Sequence, residues 1–140
     1  MKALFAITAV VAAFSAALVA GPQTAAAPIF TAQQAAAGRS EYARQCASCH
    51  MADLSGNVEY PPLAGKAFMD TWGSRSTKEL FDYMSAAMPY GAPSLSADSY
   101  AAITAYILQS NGGVAGADTL GPLTSVPIRS VALATNNDAR

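Results

Sequence analysis

The two cysteines of the chain, Cys46 and Cys49, stand three positions apart and are followed at once by its single histidine, His50. Cys46-Ala47-Ser48-Cys49-His50 has the spacing at which a c-type haem is attached. Each thiol can add across one porphyrin vinyl group, giving two thioether bonds. The short loop between the thiols then turns His50 under the iron as an axial ligand. Three other chemistries use parts of the same string. A redox-active Cys-x-x-Cys calls for a thioredoxin-like βαβ surround, and the flanking patterns here are helical. A structural zinc site wants four ligands, and the chain has no further Cys or His. A plain disulfide would leave the histidine incidental. Haem attachment uses all three residues.

With one histidine, bis-histidine ligation within the chain is impossible. A methionine thioether is the natural partner for the opposite face, and Met/His ligation raises the haem potential. Met1 lies in an apolar leader, Met51 is too close to His50 to cross to the other face, and Met69 sits on a helix with no breaker after it. Met84 and Met88 remain, four apart and so on one helical face. Met84 reads as the helix-interior methionine that usually fills a core. Met88 stands where the helix must end at Pro89, which leaves its sulfur free to be laid against an iron.

The elements that must hold these groups read as helices. Residues 31–45 form the first, with Thr31 as N-cap and Ala35, Gly38, Tyr42 and Cys46 near one stripe. Gly38 costs about 1 kcal/mol in a helix relative to alanine, which points to close approach of another helix. Residues 51–65 are loop, with turn chemistry at Asp53, Ser55, Gly56 and Asn57 and a stiff Tyr60-Pro61-Pro62-Leu63-Ala64-Gly65 piece. A proline carbonyl there suits a rigid acceptor for the second nitrogen of a ligand histidine. A short helix spans Ala67 to Gly73, stacking Phe68 on Trp72. Ser76-Thr77-Lys78-Glu79 is a capping box that opens a helix to about Ala87, with Leu80, Tyr83, Met84 and Ala87 on one face. Pro89, Gly91 and Pro93 end it. The last helix starts at Ser96, carries Tyr100, Ile103, Tyr106 and Ile107, and stops at Asn111-Gly112-Gly113. Residues 113–140 lack a clear period and read as an extended tail.

Residues 1–26 read as a secretory signal, with Lys2 before an alanine-rich apolar run and a cut after Ala26; an uncleaved anchor is the alternative. Removal leaves seven basic and nine acidic residues, a formal charge of −2 before any haem propionates. That balance argues against a nucleic-acid partner, which would call for a basic face. It also argues against a strongly cationic docking patch. Exported thiols are coherent when they become covalently occupied or paired.

Taken together, the chain resembles the class I cytochromes c, most of all the small periplasmic carriers and haem domains that serve quinoprotein dehydrogenases. Cys46-x-x-Cys49-His50 matches the haem site, and Gly38 and Tyr42 match the first-helix contact with the aromatic at Tyr106. Pro61-Pro62-Leu63-Ala64-Gly65 matches the Pro-x-Leu-x-Gly loop, and Met88-Pro89 followed by Leu95-Ser96 matches the distal methionine segment. The likeness covers about residues 35–112, within a domain of 27–112. It implies an all-α cytochrome c fold of about four helices around one covalent haem c. Cys46 and Cys49 would be the attachment points and His50 and Met88 the axial ligands. The Pro61 carbonyl would hold the histidine, Leu63 would belong to the same loop, and Trp72 and Arg75 would lie near the propionates. The implied function is one-electron transfer without enzymatic turnover. Its setting would be the periplasm, between a dehydrogenase and an oxidase or other cytochrome in a respiratory chain, with no membrane span once the leader is cut. A permanently bound dehydrogenase subunit, or a haem enzyme or gas sensor with an open distal site, are the alternatives.

Overall fold

Thr31 fixes where the first helix begins. Its backbone is extended and its hydroxyl accepts the Gln34 N–H at 3.0 Å, satisfying one of the donors a helix start leaves free. The computed structural model describes residues 28–132; the expected export signal and its cut after Ala26 lie outside them, as do residues 133–140. The helices are α1 (Ala32–Gln45), α2 (Ala47–His50), α3 (Gly65–Trp72), α4 (Thr77–Ala87), α5 (Ala97–Ser110) and α6 (Ile128–Ala132). The all-α expectation holds, with two short helices, α2 and α6, beyond the four expected. Among the described residues, strand-like pairing is confined to one isolated bridge between Ser76 and Pro127.

The core is built on the crossing of α1 and α5. Gly38 meets the α5 backbone so closely that an added Cβ would lie 1.8 Å from the Ala102 carbonyl oxygen. Tyr42 and Tyr106 fill the space beside that contact, their ring centroids 5.4 Å apart and tilted by 54°. Helix α5 is buried over most of its circumference, from Tyr100 to Ala105 and again at Ile107 and Leu108. Gly38→Ala should therefore destabilise the protein by about 1–3 kcal/mol through overpacking, although alanine is the better helix former by about 1 kcal/mol. Denaturant unfolding of the two proteins measures this; a stabilised alanine variant would show that the helices do not touch here.

Helix α4 opens with the full capping box. The Ser76 hydroxyl accepts the Glu79 N–H, and the Glu79 carboxylate accepts the Ser76 N–H at 2.7 Å. Donation to the carboxylate by the Ser76 N–H first, and by the Ser76 hydroxyl, holds the Glu79 carboxyl below its ordinary value. The buried face of α4 is Thr77, Leu80, Phe81 and Met84. Tyr83, expected on that face, is instead 49% exposed and leans sideways on Trp72, with centroids 5.4 Å apart. Trp72 thus packs on Tyr83 as well as against the core that contains Phe68.

The segment after α5 returns across the domain. Gln34 grips the Leu120 backbone from both sides, its amide donating to the carbonyl at 2.6 Å and accepting the N–H at 3.0 Å. The Thr77 hydroxyl donates to the Thr124 carbonyl and accepts the Val126 N–H. The Ile128 and Arg129 N–H groups donate to the Arg75 and Gly73 carbonyls. Within the stretch expected as an extended tail, residues Ile128–Ala132 are helical. This helix, α6, buries Ile128 and Val131 one turn apart. Five residues are too few for a helical period to show in sequence.

Candidate haem site

Helix α1 ends by donating the Cys46 N–H to the Tyr42 carbonyl at 2.9 Å, and the chain re-enters a helical turn at once. In that turn the Cys49 and His50 N–H groups both donate to the Cys46 carbonyl, at 3.1 and 2.9 Å. One turn of helix therefore carries both thiols and the imidazole. Neither cysteine is in a disulfide, and both are half-buried. Burial first, then the neighbouring Cys49 and Glu41, push the Cys46 thiol up to about 11, so it stays protonated at neutral pH.

His50 is buried, and its Nδ1 lies 2.8 Å from the Pro61 carbonyl oxygen. A carbonyl can only accept, so Nδ1 carries a proton, and in the neutral ring it is Nε2 that keeps the lone pair. The Tyr60 ring stands edge-on to the imidazole, with centroids 6.1 Å apart. The backbone of the histidine is held as firmly as its ring. Gly56 N–H donates to the His50 carbonyl at 3.1 Å. The buried Tyr42 hydroxyl points between the carbonyls of Met51, at 2.6 Å, and His50, at 3.1 Å. Burial, then the neighbouring Cys46, Tyr106 and Asp53, raise the Tyr42 phenol well above its ordinary value, so it remains a donor. In sequence Tyr42 is legible only as an aromatic at a helix crossing. Its hold on the residues after the cysteine motif follows from the reversal of the chain at Cys46, which no periodicity signals.

That reversal strains the backbone. Met51, directly after His50, has φ 64° and ψ 153°, a region in which glycine alone is comfortable. Leu54 is also left-handed, at φ 62°, and is buried. Met51→Gly should raise stability by about 1 kcal/mol, the released strain exceeding the added entropy of the unfolded chain. A thermal melt of the two holoproteins checks it; a Met51→Gly protein destabilised by that amount would mean that Met51 is unstrained.

Met88 forms the C-cap of α4. Its backbone is extended, its N–H donates to the Met84 carbonyl at 2.8 Å, and its carbonyl accepts the Tyr100 hydroxyl. Met84 is buried inside the core, whereas Met88 is half-buried against its edge. Leu63 also packs half-buried on the core. Trp72 and Arg75 come together, the guanidinium carbon lying 4.9 Å from the indole centroid.

A family model described as cytochrome C oxidase, cbb3-type, subunit III matches residues 33–107. The chain belongs to this family of c-type cytochrome domains. The matched span begins in the first turn of α1, ends within α5, and contains every candidate residue from Cys46 to Met88. No curated protein and no solved structure matches the chain. Membership in the family implies electron transfer, haem c as the prosthetic group, and redox proteins as partners. Among the described residues, no helix is long and apolar enough to cross a membrane. The donor set fits the haem: two unbridged thiols on one helical turn, beside an imidazole whose Nδ1 is tied off so that Nε2 can bind iron.

Proposed function

We propose that this cytochrome domain is a mono-haem electron carrier of the periplasm, with His50 and Met88 as the axial ligands. In this reading it accepts single electrons from a dehydrogenase and delivers them to an oxidase or another cytochrome. Haem c, when bound, supplies one iron that alternates between the ferric and ferrous states. The chain's own residues do the rest. Cys46 and Cys49 tether the group, and His50 presents Nε2 because Pro61 holds the other nitrogen. The one observation that carries the reading is this buried histidine, held through Nδ1 by the Pro61 carbonyl beside two unbridged thiols.

Met88 completes the pair. It stands at the end of α4, where its extended backbone releases the side chain from helical packing, while Met84 one turn earlier is committed to the core. Held by His50 and Met88 together, a bound haem would have no place for dioxygen or peroxide, which leaves electron transfer as its chemistry. Trp72 and Arg75 supply an indole N–H and a guanidinium for the propionates. The oxidised spectrum of the natively assembled protein tests the reading. A charge-transfer band from methionine sulfur to ferric iron is expected, and its absence would contradict the His/Met assignment.

A further inference from the structure

Helix α3 starts without a cap of its own. The residue before it is Ala64, whose side chain offers no acceptor, and Gly65 at its first position has φ 79°. Such a start leaves backbone N–H groups in need of partners. The Gly65 N–H finds one in the Asn111 side-chain oxygen, at 2.9 Å, from a residue 46 positions later at the C-cap of α5. The nitrogen of the same amide donates to the Leu63 carbonyl at 3.0 Å and to the Ile107 carbonyl at 2.8 Å. Both N–H groups and the oxygen of the amide are thus engaged. Asn111 ties α5 to Leu63 and Gly65, the residues two and four positions beyond Pro61, whose carbonyl accepts the His50 Nδ1–H.

We propose that Asn111 is a positioning residue for the haem ligand, clamping the 61–65 loop to α5 so that the Pro61 carbonyl stays within hydrogen-bonding reach of His50. The proposal rests on the His50 half of the function above and not on Met88. A well-held Nδ1–H donation makes the imidazole a stronger donor to iron and favours the ferric state. Loosening the loop weakens that donation and raises the reduction potential. Local sequence pattern explains Asn111 as a helix terminator only, because the clamp joins segments distant in the chain.

The test compares holoproteins carrying Asn111→Ala and Gln34→Ala. Gln34→Ala also removes side-chain hydrogen bonds to a distant backbone, those to Leu120, but touches nothing in the 61–65 loop. The readouts are the reduction potential and, by NMR of the ferrous protein, solvent exchange of the His50 ring N–H. Asn111→Ala should raise the potential and speed this exchange about tenfold, the effect of losing one ordinary hydrogen bond. Gln34→Ala should lower the melting temperature and leave both readouts unchanged. Unchanged readouts in Asn111→Ala, or equal shifts in the two variants, would overturn the proposal. Should Asn111→Ala fail to assemble, Asn111→Asp decides by exchange alone, since its carboxylate would itself favour ferric iron. That variant keeps the Gly65 acceptor but loses the N–H donor to the Leu63 carbonyl, so exchange faster than wild type supports the clamp and wild-type exchange overturns it. A missing methionine band in the wild-type protein would instead count against Met88 and leave this test intact.

Discussion

Replacing Cys46 and Cys49 together by alanine should yield a protein with no covalent haem and no cooperative unfolding transition. A domain of this size has a small core of its own, to which a bound haem would add substantial apolar surface. The site also places costs on the fold that the bound group offsets. His50 is a buried polar residue, Met51 sits in a conformation comfortable only for glycine, and both thiols are half-buried. Either single alanine variant should retain at most one thioether and accumulate poorly. Haem staining after denaturing electrophoresis and far-ultraviolet circular dichroism melts report these outcomes. A double variant that melts cooperatively without haem, at wild-type helicity, would mean that the helices carry the fold alone.

Met88→Ala should abolish the sulfur-to-iron charge-transfer band and lower the reduction potential by on the order of a few tenths of a volt, within the range that axial ligands set. The thioether favours ferrous iron, so its loss favours the ferric state. Met84→Ala should leave spectrum and potential in place and lower stability by about 2–5 kcal/mol, the usual cost of emptying a buried methionine site. The reverse pattern would move the ligand back one turn of α4 and exchange the roles of the two sulfurs. The difference in their settings makes the direction clear: Met84 is enclosed in the core, while Met88 is released at the cap by the approach to Pro89.

Much of the helical frame was legible because its signals are local. Thr31, Ser76 with Glu79, and Ser96 each cap the helix that their side-chain chemistry announces. Gly38 was legible as a crossing point because a glycine inside an alanine-rich helix calls for a packing reason, and the Ala102 carbonyl supplies it. Errors arose where two apolar side chains share a helix and only tertiary packing chooses between them. Phe81 turned inward and Tyr83 outward because Trp72 offered Tyr83 a lateral surface. Helix α3 began at Gly65, two residues earlier than its apolar pattern suggested, because Asn111 caps it from across the fold. Within the candidate site, the spacing of Cys46, Cys49 and His50 is a local signal. The grips of Tyr42 and Asn111 on backbone elsewhere in the chain follow from chain reversals that composition and period do not encode.

Exposure of the native ferrous protein to carbon monoxide tests the central claim most directly. An iron held by His50 on one side and Met88 on the other should show no spectral change on mixing, while Met88→Ala should bind the gas. Prompt carbon monoxide binding by the unaltered protein would show an open distal site. The chain would then be a ligand-binding haem protein, and the electron-carrier assignment would fall.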